Sequence, residues 1–186
     1  WKVITKLYSP AQQRINIEEF FYHQLEQSLE RLQIDKLHGL LLHNPTELAG
    51  FYNDQLPTIC EKIKKCGLVE KIGVSIYEPA QLGELFNIYD FDIVQAPINI
   101  FDRSLEMSGW AARLKQRSTE VHARSVFLQG LLLMPLSEHP KKFSNWIPDF
   151  ERYFNWLHEN NLSPLAATVN FVHDLEFVDR MIIGVQ

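Results

Sequence analysis

Glycine is sparse in this chain, eight residues in 186, and no G-x-G-x-x-G turn follows any apolar run. That absence argues against the dinucleotide-binding sheet whose first glycine-rich turn wraps a pyrophosphate. Basic blocks are lacking too. The net charge is -5 and the isoelectric point near 5.8, and the densest basic stretch, Glu61-Lys62-Ile63-Lys64-Lys65, has the mixed charge of a solvated helix face. Neither nucleic acid nor an anionic membrane surface is therefore an expected partner. Cysteine is limited to Cys60 and Cys66, six apart in an expected helix. That spacing points them to different faces, excludes a simple disulfide between them, and suits buried, reduced thiols of an intracellular protein. No apolar run approaches the ~18 residues that span a bilayer, and no charged region followed by an apolar stretch opens the chain. The expected location is cytoplasmic, and no metal site is expected.

What is present is a rhythm. Hydrophobic residues make up 46% of the chain, enough for one sizeable core, and no repeat or linker divides it, so residues 1–186 read as one domain. Trp1 stands where a methionine would, almost directly before a strand, and further sequence is expected upstream. Short β-branched or leucine-rich runs alternate with helical periodicity, as in repeated βα units on a parallel sheet. Strands are expected over Lys2–Leu7, Gly39–Leu42, Lys71–Ser75, Ile93–Ala96, Val121–Phe127 and Met181–Val185. Asn16 is expected to cap a helix over Ile17–Gln33, with Glu18 and Glu19 favourable to its dipole and Phe20, Phe21, Leu25, Leu29 and Leu32 as its apolar face. Further helices are expected over Leu56–Cys66, stopped by Gly67, and over Gln81–Ile88, Phe150–Glu159 and Pro164–Val172. Another is expected over Ser104–Gln116, with Met107, Trp110, Ala111 and Leu114 inward. Leu131 to Pro148 reads as a long loop or lid.

Function in parallel βα folds collects at the C-terminal ends of the strands. Lys6, His43, Ser75, Gln95, Arg124 with Ser125, and Gln186 stand at or near such ends. A solvent-reaching lysine and a structural histidine would account for Lys6 and His43 singly. Neighbouring parallel strands would set the two side by side, an ammonium able to depress the pKa of a nearby acid and an imidazole able to orient a carbonyl. Ser75 and Gln95 together offer the donors and acceptors that a carboxamide requires. Six such strands fit either an open doubly wound sheet or most of an eight-stranded barrel.

The residues resemble a known family, the aldo-keto reductases, NAD(P)H-dependent enzymes on the (β/α)8 TIM barrel. Val3-Ile4-Thr5-Lys6 is similar to the family's third strand with its lysine. The segment from Ser28 to Leu37 followed by Leu40-Leu41-Leu42-His43-Asn44-Pro45 resembles the fourth strand with its histidine. Gly67 to Ser75 resembles the fifth strand, Val94-Gln95 the sixth, Arg124 to Leu132 the seventh with its loop, and Ile182-Ile183-Gly184-Val185 the eighth. Six matches in order are specific where one would be weak. The fold implied is a TIM barrel whose first two strands and last helix lie outside these residues.

In that family a tyrosine protonates the carbonyl oxygen while the reduced nicotinamide delivers hydride to the carbonyl carbon. Carried over, Lys6 would be the cation that lowers the tyrosine's pKa and His43 the orienting imidazole, since a phenol near ~10 is a poor acid at pH 7 unless tuned. Ser75 and Gln95 match the carboxamide contacts, although Ile76 stands where the family usually has asparagine. Arg124 takes a position that often carries an aromatic ring against the nicotinamide. Ser125 and Phe127 would line the pyrophosphate side. The family's aspartate and tyrosine precede the segment matched here. The implied cofactor is NADPH or NADH, NADPH being favoured by the resemblance alone, and the implied substrate is a small aldehyde or ketone. The alternative is a catalytically silent barrel that serves as a binding or assembly module, and imine chemistry at Lys6 is a third. Substrate identity and oligomeric state are not legible.

Overall fold

The structure is a computed structural model that describes residues 1–10 and 15–184. Strands β1 (Ile4–Leu7), β2 (Leu37–Leu42), β3 (Val69–Ser75), β4 (Ile93–Pro97), β5 (Glu120–Arg124) and β6 (Arg180–Met181) pair in sequence order. All five pairings are parallel. Each connection carries helix: α1 (Ile17–Leu32), α2 (Pro45–Tyr52) with α3 (Leu56–Lys65), α4 (Gln81–Ile88), α5 (Ser104–Met107) with α6 (Trp110–Gln116), and α7 (Ile147–Glu159) with α8 (Pro164–His173). This is the layout of a partial TIM barrel.

Strand side chains alternate between faces. Leu40, Leu42, Ile72, Val74, Val94, Ala96, Val121 and Ala123 join the core cluster that holds Phe21, Leu25, Ile59, Ile63, Leu85 and Leu114 of the helices. The other face lines the barrel interior, where space is tight. A Cβ on Gly73 would lie 2.5 Å from the Ile93 carbonyl oxygen and 2.6 Å from Leu41.

Local chemistry explains most boundaries. The Asn16 side chain accepts from the Glu19 amide at the start of α1, as expected, and Gln33 closes that helix in the left-handed region at φ 54°. Gly67, at φ +78°, follows α3 where a glycine stop was expected. Two aspartates repeat one device. Asp92, just before β4, donates its amide to the Ile72 carbonyl at 2.8 Å and accepts the Ile72 amide on its carboxylate at 2.8 Å. Asp179, just before β6, grips Val121 in the same way at 2.9 and 2.7 Å. Each aspartate thereby sets the register of the strand that follows it against the one before.

Several expectations are corrected. Pro45 does not only stop a strand. It occupies the first turn of α2, a helix not expected from the sequence, where proline's fixed φ suits a helix start. The expected Ser104–Gln116 helix is broken at Gly109, φ +77°, into α5 and α6. The break shifts the helical phase, so Leu105 is buried and Met107 is 83% exposed. β5 ends at Arg124 rather than Phe127 because Ser125 turns to φ +57°. α7 begins at Ile147 with Pro148 in its first turn, and short 3-10 turns occupy Leu136–Glu138 and Lys141–Trp146 of the expected lid. β1 starts at Ile4, and β2 reaches back to Leu37. Leu32 is exposed, as is Cys66, whereas Cys60 is buried and its thiol is pushed up to about 12 by burial. β6 is confined to Arg180–Met181, so Ile182 to Gly184 do not continue the strand as expected, and Val185 and the strand-end Gln186 lie outside the described residues.

At the N-terminal ends of the strands, polar groups gather around Glu120. Its carboxylate pairs with Lys71, lies 2.9 Å from His122 Nε2 and 3.7 Å from Arg180 Nε, and approaches His38 Nε2 at 3.9 Å. Burial alone would raise Glu120, but hydrogen bonds from Lys71 and His122 overrule it and hold the carboxyl at about 2. His122 is fully buried, and that burial lowers its pKa despite the adjacent carboxylate.

Candidate active site

The opposite, C-terminal rim carries a different polar set. Register sets Lys6 opposite Leu41, Ser75 opposite Gln95, and Pro97 opposite Arg124. Lys6 Nζ donates to Ser75 Oγ at 3.4 Å, and the Ser75 hydroxyl lies 3.5 Å from Gln95 Oε1. Ser75 and Gln95 are 3% and 4% exposed. Both contacts are at the long limit of hydrogen bonding, so these buried groups retain capacity for a ligand's amide or hydroxyl. Burial and, secondarily, the Arg124 guanidinium lower the pKa of Lys6. A cation with such a depressed pKa at a strand end is suited to acid–base chemistry.

Arg124 is locked in place. Nη2 donates to the Ile76 carbonyl at 2.9 Å, Nη1 to Ser125 Oγ at 3.1 Å, and the guanidinium lies 4.9 Å from the Tyr77 ring centroid. Its Nε is buried without a protein partner among the described residues. Ser125 begins a contorted turn. Ser125, Leu128, Gln129 and Gly130 all have positive φ, at 57°, 47°, 55° and 91°. A non-glycine residue in that region costs about 1–2 kcal/mol, and strain of this kind clusters at ligand-binding sites. Two cavities flank the turn. One, of about 540 Å³, is walled by Ser125, Phe127, Gly130 and Ile182 to Gly184. The other, of about 420 Å³, is walled by Asn99, Phe101, Phe143, Trp146 and Phe150. Ser125 and Gln129 line both.

His43 departs from the expected pair. The β1–β2 register gives Lys6 a leucine for its neighbour and carries His43 past the end of β2, where its amide donates to the Leu7 carbonyl at 2.9 Å. Its ring packs 4.9 Å from Tyr8, and Nδ1 lies 3.2 Å from Asn44 Oδ1. Lys6 instead reaches across to β3. The structure thus brings together Lys6, Ser75 and Gln95, and joins Arg124 to Ser125, with Phe127 on the cavity wall and His43 farther along the rim. Sequence reasoning misses Tyr8, Tyr77 and Asn99. For Tyr8 and Tyr77 the available signal is an aromatic residue one or two positions beyond a strand-end polar residue. Among the described residues no cluster of three His, Cys, Asp or Glu side chains could hold a metal ion, and no helix is long and apolar enough to cross a membrane.

Consecutive parallel βα units with a polar C-terminal rim and an apolar helix-facing layer define a barrel of the (β/α)8 class. The chain belongs to the aldo/keto reductase family, whose model matches residues 2–186. It is 26% identical over 156 residues to aldo-keto reductase YhdN of Bacillus subtilis (strain 168), a match covering 78% of this chain and 45% of that protein. Among solved structures it is similar to the holo form of aldo-keto reductase AKR11C1 from Bacillus halodurans, with a TM-score of 0.77 at 19% identity over 100% of this chain and 62% of that one. It is also similar to glycerol dehydrogenase AKR11B4 from Gluconobacter oxydans, with a TM-score of 0.65 at 18% identity over 88% and 54%. The chain therefore spans about half the length of the relatives it matches.

Proposed function

We propose that the complete protein is an NAD(P)H-dependent oxidoreductase that reduces an aldehyde or ketone to an alcohol, and that this chain supplies the cofactor side of its site. The observation that carries this reading is the half-buried Lys6 in series with the buried Ser75 and Gln95 at the C-terminal side of β1, β3 and β4, in a chain of the aldo/keto reductase family. A carboxamide is the right size and polarity to replace the long Ser75–Gln95 contact with two shorter hydrogen bonds. Ser125 and Phe127, beside the larger cavity of the strained turn, suit the pyrophosphate, and Arg124, planar and fixed, suits the edge of the nicotinamide ring. When bound, the reduced nicotinamide supplies the hydride. Lys6 contributes positive charge near the carbonyl oxygen, where it favours a proton donor's ionised form and so eases proton delivery. His43, with Tyr8 against it, orients the substrate from the rim.

The test is a fluorescence titration of the complete protein with NADPH and with NADH, followed by turnover of a panel of aldehydes and ketones. Saturable quenching by one nucleotide and oxidation of it in step with alcohol formation are expected. Absence of quenching by both would overturn the proposal in favour of a binding or assembly module.

A further inference from the structure

The strained turn after β5 does not hold itself. Asn99, on the loop after β4, is 1% exposed, and its side chain spends its hydrogen bonds in two directions. Oδ1 accepts the amides of Phe101 and Asp102 at 2.9 and 3.0 Å, while Nδ2 donates to the Ser125 carbonyl at 3.1 Å. The loop that carries Asn99 is itself rigid. The backbones of Asn99 and Asp102 pair reciprocally at 3.1 Å, and the Asp102 carboxylate accepts the Ser104 amide and hydroxyl at 3.2 and 2.6 Å. On the other side, the Ser125 carbonyl also accepts the Leu128 amide at 2.8 Å, the bond that closes the turn, and the Ser125 hydroxyl is held by Arg124.

We infer that Asn99 is a positioning residue: its amide fixes the Ser125 carbonyl and so holds Ser125 to Gly130, the wall shared by two cavities, in a ligand-ready shape. A serine at positive φ has a strong tendency to relax, and a carbonyl with two donors aimed at it resists that rotation better than one with a single donor. Asn99 suits this task because only an amide offers two acceptor lone pairs and a donor from one planar group. The ligand is the dinucleotide of the proposed function, so the inference rests on that reading. It adds a residue from β4's loop that needs no contact with the nucleotide.

Asn99→Asp separates the two directions. The carboxylate still accepts both loop amides, but it replaces the donor with an oxygen that repels the Ser125 carbonyl. In the complete protein, the thermal midpoint of Asn99→Asp is expected to fall, because an ionised carboxylate at this 1% exposed position is desolvated and faces the Ser125 carbonyl. The dissociation constant for whichever of NADPH or NADH the wild type binds more tightly is expected to rise about tenfold, and amide exchange at Leu128 to accelerate at least tenfold. Should that variant fail to fold, Asn99→Ser, whose hydroxyl can cap the loop without reaching Ser125, is measured in the same way. Unchanged nucleotide affinity and unchanged exchange at Leu128 would overturn the inference. A wild-type protein that binds neither nucleotide overturns the cofactor reading instead, and the exchange at Leu128 then decides the clamp by itself.

Discussion

At the scale of single residues, the site is organised around a lysine that has lost part of its solvent. Among the described residues Lys6 has one long hydrogen bond, to Ser75, a second cation nearby in Arg124, and a pKa lowered by burial and by that neighbour. Its value is therefore electrostatic rather than structural. In the complete protein, Lys6→Met is expected to reduce turnover about 100-fold or more while shifting the nucleotide dissociation constant by no more than about threefold, since Ser75 and Gln95, the proposed carboxamide partners, remain. Steady-state kinetics beside a fluorescence titration separates the two, and equal losses in both would show Lys6 to be a binding residue. The strand-end positions of Lys6, Ser75 and Gln95 are legible from sequence because a strand's end can be read from its apolar run and the next turn. The relation of Lys6 to His43 is not, because it depends on strand register: the observed register puts Leu41, not His43, beside Lys6.

Elements show the same division between what pattern reveals and what packing decides. α4 is legible from sequence with its boundaries intact, because its periodicity is uninterrupted. The helix expected at residues 104–116 is not continuous because Gly109 adopts a left-handed conformation inside an otherwise periodic run, and Met107 follows the broken phase outward. α2 is hidden because proline ends a strand and opens a helix by the same fixed φ. Glycines also divide by element. Gly83 lies in α4 with nothing within 4 Å of where a Cβ would stand, whereas Gly73 faces the Ile93 backbone and the Leu41 side chain. Gly83→Ala is expected to stabilise by about 0.5–1 kcal/mol through helix propensity. Gly73→Ala is expected to destabilise by about 1–3 kcal/mol through overpacking against a backbone that cannot yield. Urea denaturation of the two variants checks both signs, and a neutral Gly73→Ala would mean that β3 and β4 are less tightly apposed than they are here.

For the whole molecule, the two strand-end cations Lys6 and Arg124 stand at the C-terminal rim, and Glu120 with several basic partners stands at the other end. The N-terminal cluster makes stability depend on pH in one direction. His122 has a folded pKa below its ordinary 6.5, so on acidification the unfolded chain takes up that proton first. Glu120, ordinarily near 4.5 and held at about 2, acts in the same sense at lower pH. Both make the unfolded state the better proton binder, and stability falls as pH falls. The melting temperature is expected to be level from about pH 7 to 8, to decline gently below about 6.5, and to fall more steeply from about 4.5 towards 2. Glu120→Gln should cost about 1–3 kcal/mol at pH 7 by removing a charged acceptor from Lys71 and His122, and should flatten the lower limb. A variant with the wild-type acid profile would show that other carboxylates control it.

The paired aspartates have a consequence for the order in which the chain assembles. Asp92 reaches Ile72 across 20 residues of sequence, and Asp179 reaches Val121 across 58. With the same bonds formed at each, closing the longer loop costs about 1 kcal/mol more in chain entropy. The β3–β4 contact is therefore expected to form before the β5–β6 contact during refolding. Pulsed hydrogen exchange should show the Ile72 amide protected ahead of the Val121 amide, and simultaneous protection would mean that the strands assemble in one step. The strained turn that follows β5 would then take its final shape late, against a scaffold already in place.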